Sequence, residues 1–478
     1  MKTIKNIVLL LFAATVLYAQ GGGSSGLVDA RATAMGRTYT ANSRGVFTFG
    51  INPANLAMPT ENDFELSIIL SPFPNLNFGV GNDFMNLENF NYFFGGVQEN
   101  GQTVGRLLND QDKQDFLNLF SDGNELRTGF NVNLLSFTYN AGKDIGAFGF
   151  SMQDRFGFSV AIPIGLFEFG LYGNEIGKTY NFNDLDLKAS YLRTFNLSYA
   201  RDITDLIPQD IFKRITAGVN FKLVQGLAYV SVDHVTATVT TNADHSIVMN
   251  NDSQVNIAVS SDYGIEWDFD STTTKTSNFS PFPSPAGSGF GFDIGFSAEL
   301  DDVWSFGLAL TDIGSVNWDG EIVQYSSSGS FTLTKPDSTQ FDSLGNAFTG
   351  EGSYGDPFKT NLPSALRLGA AFRLDKFLNG EFPGQMLVVA DLNQGFNNEP
   401  GNSTTPRFSL GFEWRPADWF PIRSGWSFGG IDGFSWGFGF GFDTGFLDID
   451  LATSDFQSIL SGNNAKKIGV ALASRWKF

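Results

Sequence analysis

GFSWGFGFGFDTGF, residues 433 to 446, places an aromatic side chain at every second position, Phe434, Trp436, Phe438, Phe440 and Phe442, with a small residue, mostly glycine, between each pair. Successive side chains of a strand point to opposite faces, so the stretch is predicted to be a strand with one bulky apolar face and one nearly bare face. A sandwich in water would bury the aromatic face against a second sheet, but would carry polar residues on the other. The stretch alone leaves burial in protein and burial in lipid both open.

Composition turns the reading toward lipid. The chain of 478 residues contains 50 Phe and 54 Gly, yet its mean hydropathy is close to zero. A barrel that alternates apolar side chains toward lipid with polar ones toward its lumen produces that average. MKTIKNIVLLLFAATVLYAQ, at the start of the chain, places Lys2 and Lys5 before an apolar run and ends in small residues. It reads as a secretory signal peptide, residues 1–19. The alternative, a membrane anchor, needs about 20 apolar residues, more than the run provides. No later segment is long and apolar enough to span as a helix. The chain has no cysteine, which excludes disulfides and thiolate metal sites. A formal net charge of −20 argues against a nucleic-acid partner.

The alternation recurs along the chain. RFSLGFEW (407–414) opposes Phe408, Leu410, Phe412 and Trp414 to Arg407, Ser409, Gly411 and Glu413, and SALRLGAAFRL (364–374) opposes Leu366, Leu368, Ala370 and Phe372 to Arg367, Gly369, Ala371 and Arg373. GFGFDIGFSAEL (289–300) and RFGFSVAIP (155–163) repeat the pattern. Short connections are expected near 141–144, 299–302 and 443–445, and medium ones near 201–212, 375–383 and 415–421. Longer polar stretches fall at 81–128, 164–186, 240–285, 314–362, 394–405 and 454–464. Long and short alternate, as in outer membrane barrels, and the count is about 14 strands from Phe64 to Phe478. The tight connection at 430–433 is the one poor fit. The fold class is therefore all-β, a transmembrane antiparallel barrel over 63–478, with lipids as its surroundings. On this reading Gly437, Gly439 and Gly441 face the lumen, either to admit something close to the wall or to relieve crowding where strands coil.

The last strand, KKIGVALASRWKF, ends in Trp476 and Phe478 and looks like the carboxy-terminal signal by which bacterial outer membrane barrels are recognised for insertion. That resemblance implies the barrel assembly machinery as a partner, although any last edge strand can end in Phe. Residues 20–62 precede the barrel as a polar, irregular segment. Within it ARATAMGRTYTA can form a short helix with Ala32, Met35 and Tyr39 on one side. Asn52-Pro53 fixes an extended conformation at Asn52, whose side chain can bond nearby backbone amides. Such a corner ends the segment, with or without a part in gating.

Met35-Gly36, a Thr/Ala-rich turn, then Asn52-Pro53-Ala54 with Leu56-Ala57, resembles the N-terminal hatch of the FadL-like outer membrane proteins, the long-chain fatty acid transporter family. The resemblance implies a 14-stranded barrel plugged by residues 20–62 and passage of a small hydrophobic ligand across the outer membrane. The chain departs from the family at 42–45, where an acidic pair is usual, and at Asn55, where Gly is usual. The wider family includes PorV-like barrels, so docking of a periplasmic or secreted partner protein is the alternative. A soluble secreted adhesin is a third reading.

No catalytic group, cofactor or metal is expected. His234 and His245 have no acid and nucleophile at a recognisable spacing. Residues 268–280 and LDIDL (447–451) lack the calcium-loop pattern. Asp448 and Asp450 are expected to face the lumen and pair with Arg367, Arg373, Arg407, Arg423 or Arg475. DQDKQDFLNLFSDGNEL (110–126) is expected to form an amphipathic helix, as a lid or on the rim, and 240–285 to form hairpins above the membrane.

Overall fold

The computed structural model describes residues 29–270, 277, 280–334 and 350–478. The proposed signal peptide, the first residues of the N-terminal segment and part of 268–280 lie outside the described residues. Fourteen antiparallel strands close into a barrel. β1 is interrupted, running as Phe64–Ile68 and Asn75–Asn82. Next come β2 (Glu125–Asn140), β3 (Ala147–Ala161), β4 (Asp186–Asp202), β5 (Arg214–Thr241), β6 (Gly287–Glu299) and β7 (Trp304–Trp318). They are followed by β8 (Ala365–Arg373), β9 (Gln385–Gly395), β10 (Arg407–Ala417), β11 (Phe420–Gly429), β12 (Phe434–Asp443), β13 (Leu447–Thr453) and β14 (Lys467–Lys477). Both halves of β1 pair with β2 and with β14, which closes the ring. At the seam Phe64 and Phe478 exchange backbone hydrogen bonds, and their rings lie 5.9 Å apart.

Closure leaves no free strand edge, and the alternation then has only two destinations. The register carries one apolar row across six strands, Leu308, Leu368, Leu392, Phe408, Phe428 and Phe434, each opposite the next. All six are exposed on the outside of the cylinder. On the inside a row of small residues answers it, Ala371, Val389, Gly411, Gly425 and Gly437. The opening stretch is β12, with its aromatics out and its glycines in. No helix among the described residues is long and apolar enough to cross a membrane.

Connections alternate in length as expected, defining a short-turn end and a long-loop end. The tight connection at 430–433 lies at the long-loop end and is a single 3-10 turn. β5 continues well past the barrel, and its far half pairs with Ile247–Val259, which pairs in turn with Glu321–Leu333, so the 240–285 region does begin as a hairpin above the barrel. The helix expected in the first long loop is α3 (Asp110–Asn118), capped reciprocally by Asn109 and Asp112. Two helices were not anticipated, α2 (Leu87–Phe94) and α4 (Ile164–Tyr172). Phe116 and Phe120 of this layer pack with Phe84 and Met85 and with Phe167 of α4, so α3 is held among the loops at the long-loop end.

The interruption of β1 was not expected either. Residues 69–74 fold outward over β14, where Ser474 Oγ donates to Phe73 O and the Trp476 indole donates to Ser71 O at 3.1 Å. β13 is the shortest strand of the lipid-facing wall, and β12 pairs with it only from Phe438 to Asp443. Above that level the wall is completed by side chains: Lys467 Nζ donates to Asp432 O at 2.6 Å and also to Phe434 O, while Trp436 N donates to Gln457 at 3.1 Å.

A cation at the middle of the apolar row tests which side of the wall meets lipid. Leu368→Lys is expected to destabilise the barrel by about 2–4 kcal/mol, measured by urea-dependent refolding into vesicles.

Candidate functional site

The lumen is the site, and the N-terminal segment occupies it. From Asp29 to Met58 nearly every residue is buried. α1 (Ala30–Ala34) is capped by the Asp29 carboxylate, which accepts from Ala32 N at 2.9 Å. It ends sooner than the sequence suggested, because Gly36 and Arg37 take positive φ of 64° and 68° and turn the chain away. Tyr39 therefore lies beyond the helix instead of on one face with Ala32 and Met35.

Past that turn the segment circles the inner wall, and the wall has been cleared for it. A Cβ added at Gly437 would fall within 3.0 Å of the carbonyls of Thr33 and Ala34, one at Gly425 would meet Met35, and one at Gly369 would meet Thr40 and Ala41. The track continues at Gly307 beside Thr40, Gly295 beside Asn52 and Gly218 beside Pro53 and Ala54. At Gly437, Gly425, Gly307 and Gly218 backbone lies against backbone, and at every one of these glycines the approach leaves no room for a side chain. Of the β12 glycines, Gly437 and Gly439 meet the segment, whereas a Cβ at Gly441 would meet Asp450 and Ile449 of β13.

Polar groups fix the segment on the track. The Asp391 carboxylate on β9 accepts from Tyr39 N, Thr40 N and Thr40 Oγ1 at 2.9, 3.0 and 2.7 Å. Glu65 accepts from Val46 N at 3.0 Å and from Arg475 at 2.9 Å. Asn52 is extended, and its Oδ1 accepts from Ala54 N at 3.1 Å, so it caps the 3-10 turn Pro53–Ala57. Its Nδ2 donates to Thr40 O, Phe296 O and Ser297 Oγ, tying the corner to β6. Asn55, which stands where the resemblance has Gly, donates to Thr40 O and Ser43 Oγ and accepts from Ser297 Oγ.

Charge concentrates where α1 meets β10 to β14. Arg31 bridges Asp448 at 2.6 Å and Asp450 at 2.8 Å, Arg423 bridges Asp450 at 2.6 Å and Glu413 at 2.5 Å, and Arg475 reaches Asp448 at 2.7 Å. Two guanidinium groups lie over the Phe47 ring, Arg31 at 5.1 Å and Arg475 at 5.0 Å from its centre. Arg37 holds Asp432 of the tight connection at 2.7 Å. Buried pairs of this kind add little net stability but penalise removal of one partner, so they specify where the segment sits.

Toward the long loops the lumen changes character. A charged layer comes first, Lys222 with Asp293 at 2.8 Å and with Asp312, and Arg155 with Asp312 at 3.2 Å. Above it lies an apolar layer in which Trp318 is flanked by Tyr229 and Phe358, with Leu192, Val316 and Leu362 around them. Pro400 from the 396–406 loop reaches in against Gly157, leaving a cavity of about 40 Å³. Toward the short turns a polar vestibule of about 560 Å³ opens, lined by Arg31, Tyr39, Arg44, Arg415 and Lys477 among others.

Met35, Gly36, Asn52, Pro53 and Ala54 thus all lie in the lumen against the wall. Arg367, Arg407, Glu413, Arg423, Asp448 and Asp450 point inward, whereas Arg373 sits at the short-turn end, paired with Asp375 at 3.0 Å. Of the pairings anticipated for Asp448 and Asp450, those with Arg423 and Arg475 form; Arg367 Nε instead faces Thr311 Oγ1 at 3.5 Å. Arg31, Glu65 and Asp391 were missed, although Asp391 breaks an apolar run at an inward position. His234 lies in the far half of β5 and His245 in the turn that follows it, and both are exposed. Among the described residues no group of His, Cys, Asp and Glu is placed to hold a metal ion.

A family described as of unknown function, DUF5723, matches residues 57–454. No curated protein matches the chain. Among solved structures it is similar to the Ralstonia pickettii toluene transporter TbuX, at 14% identity and a TM-score of 0.47, covering 94% of this chain and 98% of that one. The P. putida toluene transporter TodX gives 14% identity and a TM-score of 0.47, covering 95% and 99%. A Pseudomonas aeruginosa FadL homologue gives 12% and 0.44, covering 96% and 100%.

Two measurements follow from the seating of the segment. Arg31→Ala strips Asp448 and Asp450 of a buried partner and is expected to cost about 3–5 kcal/mol, read as faster proteolysis within residues 29–58 of a barrel that still migrates as folded. Burial pushes the Asp29 carboxyl up to about 6 from 3.8. A raised carboxyl favours the folded form most at low pH and loses that contribution as pH rises through about 6. Asp29→Asn keeps the cap acceptor, and is expected to stabilise above pH 6 by up to about 3 kcal/mol and to flatten the pH dependence of unfolding between about 4 and 6.

Proposed function

We propose that this chain, which belongs to the DUF5723 family of unknown function, is an outer membrane channel for small hydrophobic compounds, with its N-terminal segment as a plug. The short turns then face the periplasm and the long loops face outside.

The observation that carries this reading is the apolar layer at the long-loop end of the lumen. A diffusion pore for hydrophilic solutes lines its entrance with polar groups. Here the entrance is closed by Trp318, Tyr229, Phe358 and Leu362, surfaces that exchange contacts with a hydrophobic solute without desolvating a charge. Below them the Lys222, Asp293, Asp312 and Arg155 layer opposes a straight apolar path, because a greasy solute offers nothing to buried ions. Onward passage then needs the plug to shift or the solute to leave sideways, and the wall above the end of β13 has the least backbone pairing to break.

One observation favours a second reading, a barrel that docks a partner protein: the cavity beside Trp318 and Pro400 is only about 40 Å³, too little for an aromatic ring without rearrangement. The two separate in one experiment. Protein purified in mild detergent is expected to bring with it, or to bind, small hydrophobic molecules identified by mass spectrometry. Trp318→Ala is expected to weaken binding of a small aromatic hydrocarbon about ten-fold. A stoichiometric partner protein with no small ligand, and no effect of Trp318→Ala, would favour docking.

A further inference from the structure

At the seam of the barrel an apolar shelf stands outside the wall. α5 (Phe456–Ser461) follows β13, and its Phe456 ring lies 4.7 Å from Phe438 and 5.1 Å from Trp436, both on the lipid-facing side of β12. The helix therefore lies against the outer surface of the cylinder, over the place where β13 stops short. Its Ile459 and Leu460 are 57% and 64% exposed. Beside it α2 carries Leu87, Phe90 and Phe94 at helical spacing, all exposed, and no residue of α2 is buried. α2 is tied to the turn that follows α5 through Leu87 N, which donates to Ala465 O. Phe94 also meets the Phe116 ring at 6.0 Å, while Leu87, Phe90, Ile459 and Leu460 present exposed apolar side chains on these two neighbouring helices.

We infer that this shelf is a lipid-binding surface, seated in the acyl chains of the outer leaflet, where lipid packs over the missing upper part of β13. The inference rests on the reading of the barrel as membrane-spanning. Continuity with the lipid-facing belt identifies the occupant. Ile468 and Val470 of β14 are exposed on the outer face, and the chain passes directly from the shelf through the turn at 462–466 into them. A short amphipathic helix lying in the interface plane buries its apolar face at the boundary of headgroups and acyl chains, and the α2 and α5 pair presents such a face. The polar side chains that complete the wall here, Lys467, Asp455 and Gln457, sit behind α5 and not on its exposed side. The shelf thus covers a polar notch with an apolar outer surface.

The chain has no cysteine, so single probes report cleanly. Leu460→Cys, Phe434→Cys in the belt and Ala243→Cys at the tip of the tall hairpin are each labelled with a small fluorophore, and the full chain is reconstituted into phospholipid vesicles. Quenching by lipids carrying a shallow nitroxide is compared with quenching by iodide in the water. Leu460→Cys is expected to follow Phe434→Cys, several-fold more sensitive to lipid nitroxide than Ala243→Cys and protected from iodide. If Phe434→Cys reports lipid while Leu460→Cys behaves like Ala243→Cys, the shelf is in water and the inference fails. If Leu460→Cys is shielded from both quenchers, protein covers the shelf and the inference also fails. If Phe434→Cys itself reports water, the membrane reading falls first, and the two failures are told apart.

Discussion

The close approach of one backbone to another inside the barrel sets the rest of the structure. A 14-stranded cylinder in lipid must face apolar side chains outward and keep all its strand hydrogen bonds internal. What fills the interior is then a separate problem. Here it is met by a ring of inward glycines on which residues 29–58 lie, so the segment and the wall share one interface with no side chains between them on one side. The polar groups that meet the segment follow from that contact. Asp391, Glu65, Asp448 and Asp450 project from the wall to meet backbone amides and Arg31, because a segment buried away from water needs partners for its donors.

The layers of the lumen differ in how easily they rearrange. Aromatic contacts near the long loops carry no buried charge and so can be rebuilt at small cost. The charged layer and the segment beneath it are stiff, since separating any pair leaves a buried charge uncompensated. Contacts that rearrange easily thus lie above, and buried ion pairs that do not lie below. The wall repeats this division, with unbroken ladders over most of the circumference and side-chain bridges only above the end of β13.

Much of the barrel was legible because side-chain alternation has a period of two and lipid leaves the outer face no polar option. The faces of β8, β10 and β12 follow from counting, and so does the alternation of short turns and long loops. The glycines of β12 even signalled that something approaches the wall. What counting cannot supply is the register between strands, so the partner of an inward charge stayed open: Arg475 stands directly opposite Asp448 on the next strand, and Arg423 reaches Asp450 across β12. Arg423 and Arg475 found Asp450 and Asp448, while Arg31 came from a segment read mainly for its apolar residues. Helices α2 and α4 escaped notice because they lie inside loops judged by overall polarity. The outward detour at 69–74 escaped because the seam, and not local pattern, requires it.

The most direct test of this account is the accessibility of Met35, which is fully buried between the segment and the wall. In a chain with no other cysteine, Met35→Cys in the folded barrel, in membranes, is predicted to resist a small water-soluble maleimide and to react once the protein is unfolded. Rapid labelling while the barrel still runs as the folded species on an unheated gel would contradict the account, because the segment would then lie free of the glycine track.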